Sequence, residues 1–160
     1  MAATTAPEVL HRTRDADGTR ALAAALATVA RPGDLVCLRG DLGAGKTTFA
    51  KGFAAGLGVT ATVNSPSFVL LAEYEGRLPL FHVDLYRLAD AADAMAGGLL
   101  DDRMSEGVTL VEWPERLGPA LPGARLEVVF DGLGDDERRI TLHATDPAYA
   151  RYVDAARALP

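Results

Sequence analysis

The stretch Gly40-Asp41-Leu42-Gly43-Ala44-Gly45-Lys46-Thr47 has two glycines that flank four residues and are followed by a lysine and a threonine. This is the pattern of a phosphate-binding loop, or P-loop. Its flanks agree with that interpretation, because residues 35–38 read as a short buried strand and residues 47–57 read as a helix. The competing interpretation is a chance glycine-rich turn that caps a helix. The full pattern with both flanking elements favours an α/β fold built around a phosphate site.

The chemistry of such a loop depends on its backbone. Its glycines adopt conformations that other residues avoid, so that successive N–H groups surround a phosphate at the start of a helix. Lys46 is predicted to reach the β- and γ-phosphates of a nucleoside triphosphate, and the Thr47 hydroxyl to bind Mg²⁺. The predicted nucleotide-binding residues are Gly40, Asp41, Leu42, Gly43, Ala44, Gly45, Lys46, Thr47 and Thr48.

Length and composition narrow the class of protein. The chain has 160 residues, which fits a single domain over residues 1–160, with residues 1–7 expected to be flexible. The net charge is −6 and the sixteen Lys and Arg residues are scattered, so we expect no direct binding to duplex DNA. The sequence shows no basic, apolar leader and no apolar stretch of membrane length, so we expect a soluble, cytoplasmic protein without membrane association.

Hydrophobic periodicity predicts the elements around the loop. Helices are predicted over residues 20–30, 47–57, 90–104 and 147–159. Strands are predicted over residues 8–12, 35–38, 69–75, 78–85, 108–112, 126–131 and 138–144. We expect Asp15 to cap the first helix and Cys37, the single cysteine, to be buried and unreactive. The order of these helices and strands around the loop predicts a P-loop NTPase-like three-layer α/β sandwich with a mixed central sheet and an antiparallel C-terminal hairpin.

Two of the predicted strands end in a carboxylate. Residues 80–84 end at Asp84, and residues 108–112 end at Glu112. Ligands bind at the carboxyl ends of strands in open α/β sheets, so we expect at least one of these acids beside Mg²⁺. Hydrolysis of a nucleoside triphosphate needs one acid near the metal and one group that orients the attacking water. Asp84 and Glu112 are our candidates, and the sequence leaves open which acid does which.

The segment Ser65-Pro66-Ser67-Phe68 lies between the loop and the first acid. Ser67 is a further candidate catalytic residue, because its hydroxyl could contact the γ-phosphate or Mg²⁺, as residues of switch segments do. An ordinary Ser-Pro turn before a strand is the competing interpretation.

Several residues near the acids have two interpretations each. His82 shares a strand face with Asp84 and could orient that carboxylate, although a structural histidine in a core strand is the commoner case. We expect Trp113 to pack in the core, and a partly exposed partner anchor is the alternative. Arg87 is interpreted as pairing with a nearby acid in preference to acting as an arginine finger.

Four segments together are typical of one protein family. They are residues 40–49, Ser65-Pro66-Ser67-Phe68, His82-Val83-Asp84-Leu85-Tyr86-Arg87-Leu88 and Val111-Glu112-Trp113-Pro114-Glu115. In order, spacing and total length they resemble the TsaE (YjeE) family, bacterial ATPases of tRNA threonylcarbamoyladenosine biosynthesis. Many NTPases share the loop, whereas the Asp-Leu-Tyr-Arg and Glu-Trp-Pro segments are specific. The chain departs from the family at Ser67, usually Thr, and at residues 91–94, where the family commonly carries paired Glu.

The resemblance implies a function that spacing alone does not give. Proteins of this family hydrolyse ATP slowly and act with the TsaD and TsaB proteins, which install the threonylcarbamoyl group on adenosine 37 of tRNAs reading codons that begin with A. By the same resemblance, Thr47, Asp84 and Glu112 surround Mg²⁺, and Trp113 lies next to the site. An acidic protein in a tRNA pathway is then expected to meet tRNA indirectly, through its partners.

Competing functions use the same loop. A small-molecule kinase usually has an arginine-bearing lid, and the sequence has no Arg-rich insertion long enough to form one. A GTPase switch carries a guanine-reading Asn-Lys-x-Asp element, which is missing here. A nucleotide-dependent interaction switch, in which hydrolysis is incidental, remains an open alternative.

Overall fold

The fold is described from a computed structural model that covers residues 7–41, 45–63, 71–86, 102–132 and 137–160. Its strands are β1 (Glu8–Thr13), β2 (Leu35–Arg39), β3 (Leu71–Tyr74), β4 (Leu80–Asp84), β5 (Val108–Glu112), β6 (Leu126–Gly132) and β7 (Arg138–Ala144). Its α-helices are α1 (Ala16–Ala27), α2 (Lys46–Gly56) and α3 (Ala150–Arg157). Shorter 3₁₀ segments cover Asp102–Glu106, Pro114–Ala120 and Pro147–Tyr149. None of the helices within these ranges is long and apolar enough to cross a membrane.

The strands form one mixed sheet in the order β1-β7-β6-β2-β5-β4-β3. The central strands β6, β2, β5 and β4 run parallel, whereas β7, β1 and β3 join their neighbours in antiparallel pairs. Strand β2, which leads into the loop, therefore lies in the middle of the sheet. The carboxyl ends of β4 and β5 meet at the edge where the loop begins.

Helix α1 begins where its cap predicts. The Asp15 carboxylate accepts a hydrogen bond from the Gly18 N–H at 2.8 Å, so the helix starts at Ala16, four residues earlier than the predicted range 20–30. Helix α2 packs closely against α1 through glycine. A Cβ added at Gly52 would lie 2.4 Å from the Arg20 carbonyl oxygen, and one at Gly56 would lie 2.5 Å from the Ala24 carbonyl oxygen. The two backbones approach at a distance that a larger residue would prevent.

The sheet buries apolar side chains on both faces. On one face, strand residues pack against all three α-helices, with Leu26, Phe49, Phe53 and Tyr152 fully buried. On the other face, the core includes Cys37, Phe81, Val83, Val111, Met104 and Leu117, the last two from the 3₁₀ segments. Successive side chains of a strand point to opposite faces of the sheet, so each central strand contributes apolar residues to both of these cores.

Helix α3 fixes the start of β2, at the end of the strand away from the loop. The Asp34 carboxylate accepts hydrogen bonds from the Tyr152 hydroxyl at 2.5 Å and from the Arg151 guanidinium. The Tyr149 hydroxyl accepts a bond from the Leu35 N–H at 2.9 Å. Burial and the bond to Asp34 raise the pKa of Tyr152, so this phenol stays protonated as a donor.

Most predicted elements are confirmed, including the mixed sheet, the hairpin of β3 and β4 and the C-terminal hairpin of β6 and β7. The predicted helix over 90–104 is wrong at its end, where residues 102–106 form a 3₁₀ turn, and its remainder lies outside the described residues. The predicted C-terminal helix begins with a 3₁₀ turn over Pro147–Tyr149, in which the Asp146 carboxylate accepts a hydrogen bond from the Ala148 N–H, and the α-helix follows from Ala150. The 3₁₀ segment after Trp113 had no counterpart in the prediction.

Candidate nucleotide-binding site

The ends of the predicted loop lie between β2 and α2. Strand β2 ends at Arg39, Gly40 and Asp41 follow it, and Gly45 opens α2 with φ at +106°, a conformation that favours glycine. The Gly45 carbonyl accepts the first helical bond from the Phe49 N–H at 2.9 Å. Thr47 and Thr48 occupy the half-buried first turn. The helix therefore presents its unpaired N–H groups and positive dipole end at the loop.

Lys46 is held by protein groups in this structure. Its ammonium group donates a hydrogen bond to the Gly40 carbonyl oxygen at 2.7 Å and lies 3.7 Å from the centre of the Trp113 ring. Burial lowers the pKa of Lys46, although the nearby carboxylates of Glu112 and Asp84 oppose the shift. The lysine thus lies within the field of both predicted acids.

The two predicted acids are neighbours. Asp84 at the end of β4 is the register partner of Glu112 at the end of β5, and Glu112 in turn pairs with Leu38 on β2. Side chains of paired residues on adjacent strands share a face, so both acids lie on the side covered by α2. Asp84 is half-buried and accepts a hydrogen bond from the Tyr86 N–H at 3.0 Å. The structure places together the two residues that the sequence indicated.

Glu112 is buried and held by a histidine. Its Oε2 atom lies 2.7 Å from His82 Nε2, and neither side chain is exposed by more than 4%. The favoured interpretation of His82 as a buried histidine in a core strand agrees with its burial, whereas the alternative, that it orients Asp84, is corrected because its hydrogen bond goes to Glu112. Strand pairing explains this, because His82 lies two residues before the register partner of Glu112 and reaches it diagonally. The other ring nitrogen, Nδ1, is buried and has no hydrogen-bond partner among the residues that the structure describes.

Trp113 lies at the edge of the site. It has a left-handed backbone conformation with φ at +60°, the one positive φ outside glycine in the described ranges. Its ring is half-buried and contacts both Lys46 and Tyr86, whose ring centre lies 5.1 Å away. Tyr86 is 42% exposed. The prediction of Trp113 as a core residue is thus incomplete, because one of its contacts is with the loop lysine.

An ion-pair network fastens the chain after Trp113 to the sheet. Arg39 forms a two-pronged pair with Glu127 on β6, at 2.5 and 3.1 Å, and also contacts Glu115 at 3.0 Å. Burial alone would raise the pKa of Glu127, but hydrogen bonds from Arg39 and Arg125 lower it overall. The strand that leads into the loop is therefore tied to the segment that follows Glu112.

A small cleft opens on the other side of the loop helix. It is lined by Ala16 and Thr19 of α1, Gly45 and Thr48 at the start of α2, and Arg138 at the start of β7. The sequence analysis missed the residues from α1 and β7. No local signal marks them, because they meet through the antiparallel pairing of β1 with β7, which sets Thr13 opposite Arg138.

Some residues that the sequence predicted or considered for the site lie outside the described ranges, namely Leu42, Gly43, Ala44, Ser67 and Arg87. Among the described residues, no three His, Cys, Asp or Glu side chains form a metal-binding group. The predicted donors for Mg²⁺ are instead the Thr47 hydroxyl and the carboxylates of Asp84 and Glu112. This all-oxygen set suits a hard cation that takes its remaining ligands from phosphate and water.

A loop between the central strand and a helix, in a mixed sheet with acids at neighbouring strand ends, defines a P-loop NTPase-like fold. The crystal structure of Bacillus subtilis YdiB is similar, with a TM-score of 0.79, 40% identity and 97% of each chain covered. The sequence model of the family described as threonylcarbamoyl adenosine biosynthesis protein TsaE matches residues 13–140. This chain belongs to the TsaE family.

Named relatives agree with that assignment. The tRNA threonylcarbamoyladenosine biosynthesis protein TsaE of Bacillus subtilis is 48% identical over 139 residues, which cover 86% of this chain and 87% of that protein. The protein of the same name from Treponema pallidum is 40% identical over 129 residues, with 81% and 96% covered. The family resemblance noted in the sequence is therefore confirmed.

Proposed function

We propose that this protein binds ATP with Mg²⁺ and hydrolyses it to ADP and phosphate at the site between β2, β4, β5 and α2. The observation that carries the proposal is the register pairing of Asp84 with Glu112 beside Lys46 at the start of the loop helix. Positive and negative groups that converge at one sheet edge are what phosphoryl transfer requires.

Each described residue has a role in this proposal. The N–H groups at the start of α2 bind phosphate oxygens, and Lys46 leaves the Gly40 carbonyl to neutralise charge on the β- and γ-phosphates. The Thr47 hydroxyl and the Asp84 carboxylate hold Mg²⁺ directly or through water, and Glu112 acts on the attacking water. The metal, when bound, supplies charge neutralisation at the phosphates.

The two acids differ in their surroundings. Glu112 is buried and fixed by His82 through one oxygen, whereas Asp84 is half-buried. A fixed carboxylate with a second oxygen available is suited to orienting the attacking water, so we assign that role to Glu112 and contact with the metal to Asp84. Hydrolysis then forms a bond between the oxygen of this water and the γ-phosphorus, breaks the bond from that phosphorus to the β,γ-bridging oxygen, and releases ADP and inorganic phosphate, with the proton passing to solvent.

The biological setting of the proposal comes from the family. We propose that ATP hydrolysis supports the TsaD and TsaB proteins in the threonylcarbamoylation of adenosine 37 in tRNAs reading ANN codons. Support for this comes from membership of the TsaE family and from relatives that carry the name of the pathway. The net charge of −6 is consistent with tRNA being bound mainly by the partner proteins.

The test is multiple-turnover tRNA modification with purified TsaD, TsaB and threonylcarbamoyl-adenylate, with ATP hydrolysis followed in the same tubes. Addition of this protein is expected to restore turnover in an ATP-dependent manner, and Lys46→Ala is expected to remove both effects. Hydrolysis without any effect on modification would contradict the proposed pathway role and favour a kinase or a nucleotide-dependent interaction switch. Full partner-stimulated hydrolysis by Lys46→Ala would contradict the assignment of the loop.

A further inference from the structure

We infer that Arg39 is a positioning residue of the nucleotide site, because its ion pairs hold the Trp113 ring over Lys46 before nucleotide binds. This inference rests on the proposed function, since it concerns how readily Lys46 becomes available to a phosphate group. Arg39 is the last residue of β2 and directly precedes Gly40, whose carbonyl oxygen accepts the hydrogen bond from Lys46.

The Arg39 side chain lies on the side of the sheet opposite to the loop helix. In β2, Leu38 belongs to the core beneath α2, whereas Cys37 belongs to the core on the other face. Because successive side chains of a strand point to opposite faces, Arg39 shares the face of Cys37. Its guanidinium group is therefore expected to affect the nucleotide site through other residues and not by contact with the ligand.

Glu127 on β6 is the centre of the network that Arg39 joins. The Arg39 guanidinium donates to both carboxylate oxygens of Glu127, at 2.5 and 3.1 Å, and Arg125 Nε donates to the same carboxylate. Glu127 is only 6% exposed, so these charged donors offset the cost of its burial. The carboxylate is thus a fixed point on the sheet to which other segments are attached.

The network holds both ends of residues 113–125, which connect β5 to β6. Near the start of this connection, Arg39 donates to Glu115 at 3.0 Å. At its end, Arg125 donates to two carbonyl oxygens of the preceding turn, at 2.7 and 3.2 Å. Both arginines bind Glu127, so the two ends of the connection are held to one another as well as to the sheet.

Trp113 is the first residue of this connection. Its positive φ is unfavourable for a residue with a side chain, so contacts elsewhere must fix the direction of the chain after Glu112. The pair of Glu115 with Arg39, two residues further on, supplies such a contact. Burial lowers the pKa of Lys46, and the Glu115 carboxylate is among the nearby charges that oppose this shift. The network therefore ends close to the contact of Lys46 with the ring.

Loss of the network should release the Trp113 ring and, with it, Lys46. A contact that is made only before nucleotide binds opposes binding, so a weaker contact should give a higher affinity. A residue that merely stabilised the fold would not raise the affinity when it was replaced. The direction of the change in affinity therefore separates a positioning role of Arg39 from a structural one.

The experiment combines fluorescence with calorimetry. Trp113 is the single tryptophan of the chain, so the anisotropy of intrinsic fluorescence reports on its ring. Arg39→Gln and Glu115→Gln should each lower the anisotropy in the absence of nucleotide, because the ring becomes more mobile. In isothermal titration calorimetry with Mg²⁺ and a non-hydrolysable ATP analogue, each variant should bind about two- to threefold more tightly than the parent. Neither substitution should tighten binding further in Trp113→Leu, which already lacks the ring.

The two variants also control for long-range charge. They break the same ion pair, but Arg39→Gln removes a positive charge and Glu115→Gln removes a negative one. Arg103→Gln is the matched control, because it breaks a pair of exposed side chains, at 3.4 Å, with Glu73 on the edge strand β3. This control should change neither the anisotropy nor the affinity.

The inference is overturned if Arg39→Gln and Glu115→Gln keep the anisotropy of the parent, or if Arg103→Gln lowers it equally. It is also overturned if both variants bind the analogue more weakly, or if their affinities change in opposite directions, since charge would then be the cause. A parent that does not bind the analogue would overturn the proposed function. The anisotropy would still show in that case whether Arg39 holds the Trp113 ring.

Discussion

The ammonium group of Lys46 lies 3.7 Å from the centre of the Trp113 ring while it donates a hydrogen bond to the Gly40 carbonyl oxygen. The lysine that is proposed to bind phosphate is therefore occupied by two protein groups, which an incoming nucleotide must displace. A contact that exists only in the nucleotide-free form lowers the affinity for nucleotide, because binding depends on the difference between the two forms.

Replacement of Trp113 tests this competition. Trp113→Leu removes the cation–π contact from the nucleotide-free form and is expected to tighten ATP binding by about two- to fivefold, whereas Trp113→Phe retains most of the parent behaviour. Equilibrium titration with a nucleotide that is not hydrolysed measures the effect. Weaker binding by Trp113→Leu would show instead that the ring contacts the nucleotide.

His82 is expected to act as a positioning residue for Glu112. His82→Phe removes the bond at 2.7 Å and should lower kcat for ATP hydrolysis about 10- to 100-fold with little change in the Kd for ADP. His82→Gln, which keeps an N–H donor, should recover part of kcat. If kcat and the Kd for ADP change together in both variants, His82 has only a structural role.

The two acids are expected to respond differently to Mg²⁺. Asp84→Asn should raise the Mg²⁺ concentration needed for half-maximal hydrolysis, and excess Mg²⁺ should restore part of the rate. Glu112→Gln should lower the rate about 100-fold or more at every Mg²⁺ concentration, because the group that orients water is lost. Parent-like rates in both variants would rule out the strand-end site.

The close contact of α1 with α2 predicts a large effect of one methyl group. Gly52→Ala would place a Cβ 2.4 Å from the Arg20 carbonyl oxygen and should lower the free energy of unfolding by about 1–3 kcal/mol. Gly123→Ala is the control, because nothing lies within 4 Å of its added Cβ, and its change should stay within about 0.5 kcal/mol. Urea unfolding followed by circular dichroism measures both. Equal effects of the two substitutions would contradict the packing described.

Cys37 predicts a loss of stability in alkali. Burial, and next the Glu127 carboxylate, raise the pKa of the Cys37 thiol from 9.0 to about 12. The folded form therefore favours the protonated thiol. The contribution of Cys37 to the free energy of unfolding is complete below pH 9 and is lost as the pH rises from 9 towards 12. At pH 10.5 the parent should have lost about 2 kcal/mol more than Cys37→Ala, relative to pH 8. Urea unfolding at each pH measures the free energy of unfolding of the two proteins. Equal losses in the parent and in Cys37→Ala between pH 8 and pH 10.5 would contradict the prediction.

Sequence reasoning succeeded where the signal is local. The strand before the loop, the helix after it and the positions of Asp84 and Glu112 at strand ends each follow from a few consecutive residues. The Asp15 cap is confirmed for the same reason. Fold class followed because a loop of this kind needs a strand on one side and a helix on the other.

The features that sequence reasoning missed depend on pairing between distant segments. His82 contacts Glu112 because the register of β4 with β5 sets them diagonally, and a single strand shows only that His82 shares a face with Asp84. Arg138 reaches the loop helix because β7 pairs with β1 and not only with its hairpin neighbour. Local hydrophobic periodicity does not determine the register of β4 with β5 or of β1 with β7, because strand order depends on the packing of the whole sheet.

The left-handed backbone at Trp113 has a consequence for how the site responds to its ligand. This conformation costs a residue with a side chain about 1–2 kcal/mol, and the contacts of the ring with Lys46 and Tyr86 offset that cost. When Lys46 turns to a phosphate, one of these compensating contacts disappears and the strained joint after Glu112 is held less firmly. Occupation of the loop therefore removes one of the two ring contacts that stabilise the joint between Glu112 and the 3₁₀ segment Pro114–Ala120.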